Sequence, residues 1–297
     1  MKKQKKILIT ALIVIVFAVY FIEGYISNHC LTVSSYETEY EQLPEEFDGF
    51  TIVNVADLHN ALFGEGNSQL LEQIDKAQPD IVVLGGDMMS YGTVNFKRVF
   101  LLMEKLAEKY EVYYIFGNHE QNIRVANMLY VIQEAERMGI NVMLNDSVAI
   151  ERNGEKIMLH GLCQYKKSYR DPYYREPSYY EFSLEEMNEM LGSASDEYVD
   201  VLLAHNPLYF DIYSEWGADL VLSGHIHGGL WRIPVIDKGL VSPNEEIFPE
   251  YDAGEYIKNQ AHLIVSRGLG GGSVIKPRLF NRPDLVVVTL TSGNPSN

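Results

Sequence analysis

The sequence predicts an α/β fold with parallel strands, carried behind an apolar N-terminal helix. Three observations predict it. Over the first half, apolar runs that end in polar residues alternate with amphipathic segments at about 30-residue spacing, the rhythm of strand–helix–strand units. The second half is richer in short strand signals. Residues 7–22, ILITALIVIVFAVYFI, hold no charge, and the stretch extends through Gly24, Tyr25 and Ile26 toward the roughly 20 residues that cross a bilayer.

Residues 1–6 are a basic tail with four lysines, and 7–26 read as a transmembrane signal anchor. The apolar stretch is long for the core of a cleaved signal peptide, and no A-x-A-like site follows it. Cys30, in SNHC, lacks the small residues expected before a lipidated cysteine. The lysines put the N-terminus in the cytoplasm and the bulk of the chain on the extracytoplasmic side of the cell membrane, as a single-pass protein. The alternative is secretion after signal cleavage. Residues 27–40 form a connector and a first edge strand, since LTVSSYETEY alternates in part. Residues 41–290 form the main domain and 291–297 a C-terminal tail.

Within that domain FTIVNVADLHN reads as a buried strand. SQLLEQIDKA follows as a helix with Leu70, Leu71, Ile74 and Ala77 on one face. IVVLGGD is the next strand, residues 96–110 a helix facing inward through Phe96, Val99, Phe100, Met103 and Leu106, VYYIFGNHE a third strand and VANMLYVIQEAERMG a third helix. NVMLND, SVAIERNGEKIMLHGL with an Asn153-Gly154 hairpin turn, VDVLLAHNP, ADLVLSGHIHGG, HLIVSRGLG and DLVVVTL are further strands. The stretch 164–180, with six tyrosines, interrupts the pattern as a packed surface loop or a loop over a site. A capping box, Ser183-x-x-Glu186, then opens a helix, with Phe182 and Met187 spaced as a hydrophobic staple.

Hydrophobic content of 46% gives a substantial core. Net charge is −17, and without the four lysines and Glu23 of the first 26 residues it becomes −20. So acidic a surface argues against nucleic acid as a partner and sets a field that favours divalent cations. Cys30 and Cys163 make no disulfide framework and no metal-ligand pair.

Every strong strand ends in a residue able to ligate a metal: Asp57 and His59, Asp87, then Gly117-Asn118-His119-Glu120, then His205, then Gly224-His225-Ile226-His227. Ligands of open α/β sheets bind at the carboxyl ends of strands, so these residues converge. Singly, each has a bland reading: Asp57 or Asp87 as a helix cap, Asn118 in a turn, His205 as an interior histidine. Yet five of the eight histidines fall at these ends, while His29, His160 and His262 read as structural or solvated. Carboxylate, imidazole and amide oxygen together suit Mn, Fe or Zn, whereas calcium takes oxygen ligands alone.

These five blocks, D-x-H, G-D, G-N-H-[DE], H and G-H-x-H, in this order, resemble the calcineurin-like metallophosphoesterases. HNP, HGG and 267-RGLG…RLFNRPD-284 are similar to its membrane-associated bacterial branch. The resemblance covers residues 31–290 and implies a four-layer α/β/β/α sandwich with two central mixed sheets. It implies two divalent or mixed-valence cations, one held by Asp57, His59 and His227, the other by Asn118, His205 and His225, with Asp87 bridging. It further implies hydrolysis of a phosphodiester or phosphomonoester by attack of a metal-bridging hydroxide, His119 protonating the leaving oxygen as general acid.

Many relatives carry G-D-x-x-D, whose second aspartate orients the catalytic histidine; here Ser90 stands in its place, and Glu120 is the substitute within reach in sequence. An acidic domain at a membrane surface points to a small-molecule or lipid-linked phosphoester. The alternatives are a nuclease of the same fold, which calls for a basic aromatic groove, and a non-hydrolytic metal-binding scaffold, for which His119 would serve no purpose.

Overall fold

Apolar strands with two buried faces demand a layer on each side, and the chain supplies one by stacking two sheets and covering both with helices. The computed structural model describes residues 2–169, 182–195, 197–243, 246–271 and 278–293. The first half runs α1 (Lys2–His29), β1 (Thr32–Tyr40), β2 (Thr51–Val55), α2 (Ser68–Ala77), β3 (Ile81–Leu84), α3 (Lys97–Ala107), β4 (Glu111–Tyr114), the single turn α4 (Asn118–Gln121), α5 (Val125–Arg137) and β5 (Asn141–Val142). The second half runs β6 (Asp146–Arg152), β7 (Glu155–Leu162), α6 (Leu184–Leu191), β8 (Asp200–Ala204), α7 (Phe210–Trp216), β9 (Leu220–Ser223), β10 (Trp231–Ile233), β11 (Lys238–Val241), β12 (Gly254–Lys258), β13 (Ala261–Val265) and β14 (Asp284–Ser292).

One six-stranded sheet has the order β1-β14-β2-β3-β4-β5 and the other β12-β13-β9-β8-β7-β6. Strands β2 to β5 are mutually parallel, as are β7, β8, β9 and β13, and antiparallel pairs at β14–β2, β6–β7 and β12–β13 make both sheets mixed. The two-residue period of a strand sorts its side chains between layers. Ile52, Val83 and Tyr113 meet Leu159, Val201 and Leu203 between the sheets. Val53, Val82 and Val112 face the side covered by α2, α3 and α5, and Leu202, Ala204 and Val221 lie with residues of α6 and α7. The frame is the expected α/β/β/α sandwich. Parallel strands then place the loops after β2, β3, β4, β8 and β9 at a common edge.

Local signals held where they were strong. Asn153 and Gly154 both have positive φ, 50° and 92°, as a type I′ hairpin turn requires. Ser183 and Glu186 exchange both capping-box hydrogen bonds at 3.2 Å, and Phe182 and Met187 are buried. Residues 170–181, most of the tyrosine-rich stretch, lie outside the described residues.

Two element boundaries differ from expectation. Helix α1 continues to His29, so the connector shrinks to Cys30 and Leu31. Strand β1 pairs along its whole length with β14, from Thr32 with Asp284 to Tyr40 with Ser292, as the expected edge strand. NVMLND contributes only Asn141 and Val142 to a strand, because the Leu144 amide turns onto the Asp146 carboxylate at 3.0 Å.

Candidate metal centre

The strand tips are stitched together beyond the sheets. Asp57 and His59 donate their amides to the carbonyls of Gly86 and Asp87, both at 3.0 Å, so the loops after β2 and β3 run side by side. The sheets are joined across the edge as well: the His225 amide donates to the Asp57 carboxylate at 3.0 Å, and His205 Nδ1 lies 2.7 Å from the Gly85 carbonyl. That contact puts the Nδ1 proton of a neutral His205 on the carbonyl and leaves Nε2 as the donor atom, 3.4 Å from Asp87 Oδ2.

Asp57, His59, Asp87, His225 and His227 all have positive φ, between 47° and 70°. Such backbone costs about 1–3 kcal/mol per residue and collects where side-chain placement matters more than stability. Two glycines make room. A Cβ at Gly117 would collide with Asp87 Oδ1, and one at Gly224 with Asp57 Oδ2.

The side chains form three overlapping sets with ligand atoms within 4.8 Å of one another: Asp57, His59 and His227; Asp87, His205 and His225; and His59, Asp87 and His119. The first two hold the residues expected at each cation, apart from Asn118, and Asp87 lies in both the second and the third. His59 Nε2 stands 3.0 Å from His227 Nε2, which two lone pairs tolerate only with a proton or a cation between them. The Asn118 Oδ1 atom is buried and, among the described residues, has no hydrogen-bond partner. An unpaired buried carbonyl is costly, and a cation satisfies it.

The electrostatics fit the same donors. Burial pushes Asp57 up to about 7, with nearby Asp87 adding to the rise. Burial also pushes His59 and His225 down to about 3 and His227 well below its usual range, so all three offer lone pairs. At His205 burial opposes a charge, but the Asp87 carboxylate prevails and lifts it to about 10, while Asp87 falls well below the ordinary carboxylate range. These residues therefore fit divalent cations, which would replace the protons that hold the site together.

His119 is placed differently from the rest. It is part-exposed, with Nε2 3.8 Å from Asp87 Oδ2, and its amide donates to Asp87 Oδ1 at 2.7 Å. Glu120 does not orient it. The Glu120 carboxylate is fully buried and accepts the amides of Asp87 at 2.8 Å, Met88 at 2.7 Å and Gly117 at 2.9 Å, plus the Tyr114 hydroxyl at 3.1 Å. With the Met89 amide at 3.4 Å as a fifth donor on its two oxygens, it clamps the loop after β3 to the loop after β4. Ser90 does not orient His119 either, since its hydroxyl donates to the His59 carbonyl at 3.1 Å. The partner is the Tyr91 amide, which donates to His119 Nδ1 at 2.7 Å and so holds the proton of the neutral ring on Nε2. Doubly protonating the ring would set one N–H against another.

Sequence reasoning missed the supports. Arg278 is buried and donates to the carbonyls of Gly268 and Gly270, with Nη2 3.2 Å from His227 Nδ1. Asn281 donates to the His227 carbonyl at 2.7 Å. RLFNRPD carried the signal only as a family likeness. His160, paired with Asp200 at 2.7 Å, and His262, paired with Glu255 at 2.7 Å, lie outside the cluster.

Carboxylates and imidazoles gathered at the shared edge of an α/β/β/α sandwich make a donor set of the kind that holds catalytic metals. The particular family follows from comparison: the chain belongs to the calcineurin-like phosphoesterases, whose family model matches residues 50–229. It is 26% identical over 275 residues to the uncharacterized metallophosphoesterase YkuE of Bacillus subtilis, covering 91% of this chain and 89% of that one. It is 30% identical over 244 residues to YpbG of the same organism, covering 81% and 80%. To the phosphodiesterase YaeI of Escherichia coli it is 25% identical over 244 residues, covering 81% and 82%. The protein is accordingly a metal-dependent phosphoric ester hydrolase.

Proposed function

We propose that the chain is a membrane-anchored phosphoesterase that works with two cations of Mn, Fe or Zn on a small or lipid-linked phosphodiester or phosphomonoester. One observation carries this reading: two buried sets of protein donors lie side by side, His59 of one 3.7 Å from Asp87 of the other, with His119 beside them and part-exposed. The cations, when bound, supply Lewis acidity that activates water and neutralises phosphoryl charge. Asp57, His59 and His227 would hold one, and Asn118, His205 and His225 the other, with Asp87 between them. Helix α1 is long and apolar enough to cross a membrane, which supports the anchor. The Lys-rich N-terminus supports a cytoplasmic start and an extracytoplasmic site.

His119 acts through Nε2–H, the proton position that the Tyr91 amide selects. It hydrogen-bonds the departing oxygen, and complete transfer would require that amide to move away. His119→Asn should therefore retain its metals and lose roughly 10²–10³-fold in kcat, the usual cost of one such donor. The loss should be somewhat larger on an alkyl ester, whose departing oxygen gathers more charge, than on a nitrophenyl ester. A much larger loss on the alkyl ester would establish full proton transfer, and loss of metal would make His119 a ligand.

Metal binding should release protons. His205 and Asp57, raised to about 10 and about 7, both hold protons that a cation must displace. Because these values are raised, proton competition grows as pH falls, and Mn²⁺ affinity should drop below about pH 10 and more steeply below about pH 7. Calorimetry in two buffers of different ionisation enthalpy reads the release directly; a buffer-independent heat rejects it.

Gly224→Ala should push the Asp57 carboxylate aside and weaken metal retention while leaving the folded circular-dichroism signal intact. Unchanged metal content in that variant would show that the loop absorbs the methyl group.

A further inference from the structure

The last turn of α1 is docked on the metal site by polar contacts. Asn28 accepts the Arg278 amide at 3.1 Å and donates to the Arg278 carbonyl at 3.0 Å. Ser27 is fully buried, and its hydroxyl accepts the Asn281 amide at 3.1 Å. Arg278 and Asn281 are the residues that contact the ring and the carbonyl of His227. The helix end and the metal centre are thus two hydrogen bonds apart, joined through one segment.

The same segment carries a small β unit. The Leu279 amide donates to the Leu230 carbonyl at 3.2 Å and the Arg232 amide to the Leu279 carbonyl at 3.0 Å. Strand β10 leads into a hairpin with β11, and Phe248 returns to Leu240 at 3.0 Å. On this unit Trp231, Val235, Ile236, Ile247, Phe248 and Phe280 are all exposed, Val235 to 93% and Ile247 to 67%. Phe248 and Phe280 hold positive φ, 54° and 53°, a strained backbone for an aromatic residue that gains nothing by facing water. An apolar patch of this kind marks an interaction surface. Its partner is indicated by continuity with the end of a helix able to cross a bilayer, and by a tryptophan and two phenylalanines beside aliphatic tips, the composition of an interfacial anchor.

We propose that the β10–β11 hairpin unit is a second membrane contact, inserted in the lipid interface beside α1, so that the metal centre is held over the bilayer and takes phosphoesters presented at its surface. This rests on the reading of α1 as a membrane span and deepens the phosphoesterase reading. The acidic domain gains nothing electrostatically from anionic lipid, so the contact is apolar insertion.

The test uses the full-length chain in phosphatidylcholine vesicles, with and without lipids brominated on their acyl chains. Trp216 is buried and Trp231 exposed, so the emission lost in Trp231→Phe isolates the hairpin. Bromine should quench that component, and an unquenched Trp231 would overturn the membrane contact. In a second variant, Val235→Asp with Ile236→Asp, each side chain withdrawn from lipid corresponds to roughly a tenfold change in equilibrium. Hydrolysis of a bilayer-borne phosphoester should fall at least that far, with a soluble nitrophenyl ester cleaved at the wild-type rate. Equal rates of wild type and variant on the bilayer-borne ester would also overturn it. If the wild-type protein cleaves neither ester, the phosphoesterase reading fails while quenching still decides the membrane contact.

Discussion

Asp87→Asn is expected to empty both metal positions and to lower turnover by at least about 10³-fold, since two cations each stabilise the transition state by several kcal/mol. Asp87 Oδ2 lies 3.4 Å from His205 Nε2, 3.7 Å from His59 Nε2 and 3.8 Å from His119 Nε2, so one carboxylate faces the donors assigned to both cations. Asparagine keeps the shape and removes the charge. His59→Ala removes a single donor on one side and should reduce occupancy less. Metal analysis of the two purified variants separates them, and a normal metal content in Asp87→Asn would exclude the bridging role.

Glu120→Ala should produce the largest loss of stability. Its carboxylate is buried, and removing it leaves the amides of Asp87, Met88 and Gly117 and the Tyr114 hydroxyl without an acceptor. Taking one partner from a buried charged network costs about 3–5 kcal/mol. For a domain of this size that corresponds to a fall in Tm of roughly 10 °C. Glu120→Gln offers one accepting oxygen in place of two and should fall between. Because burial and Asp87 both raise the Glu120 carboxyl, the clamp and the metal site are linked electrostatically, and added Mn²⁺ should recover part of the lost Tm by binding the folded state. A fall within about 1 °C, the shift of a neutral surface substitution, would mean that the amides find other partners.

How much could be read without coordinates depended on the range of each interaction. The Asp and His residues were legible because each follows a strong apolar run, and parallel strands bring such ends together whatever their separation in sequence. The fold class followed from the same rhythm. Glu120 was legible as a residue of interest but not in its role, since a five-donor clamp depends on how two loops lie side by side. The Tyr91 amide was invisible, because a backbone group leaves no trace in residue identity. Arg278 and Asn281 act on His227 from 51 and 54 residues away, through a segment with no regular periodicity. The β10–β11 hairpin and β12 were missed because they are short and only partly buried.

The most direct measurement titrates metal-free, full-length protein with Mn²⁺ while following hydrolysis of a nitrophenyl phosphoester. A dinuclear centre built as described should show no turnover without metal and should reach its plateau at about two cations per chain. Turnover that persists in the metal-free protein, or a plateau at one cation per chain, would contradict it.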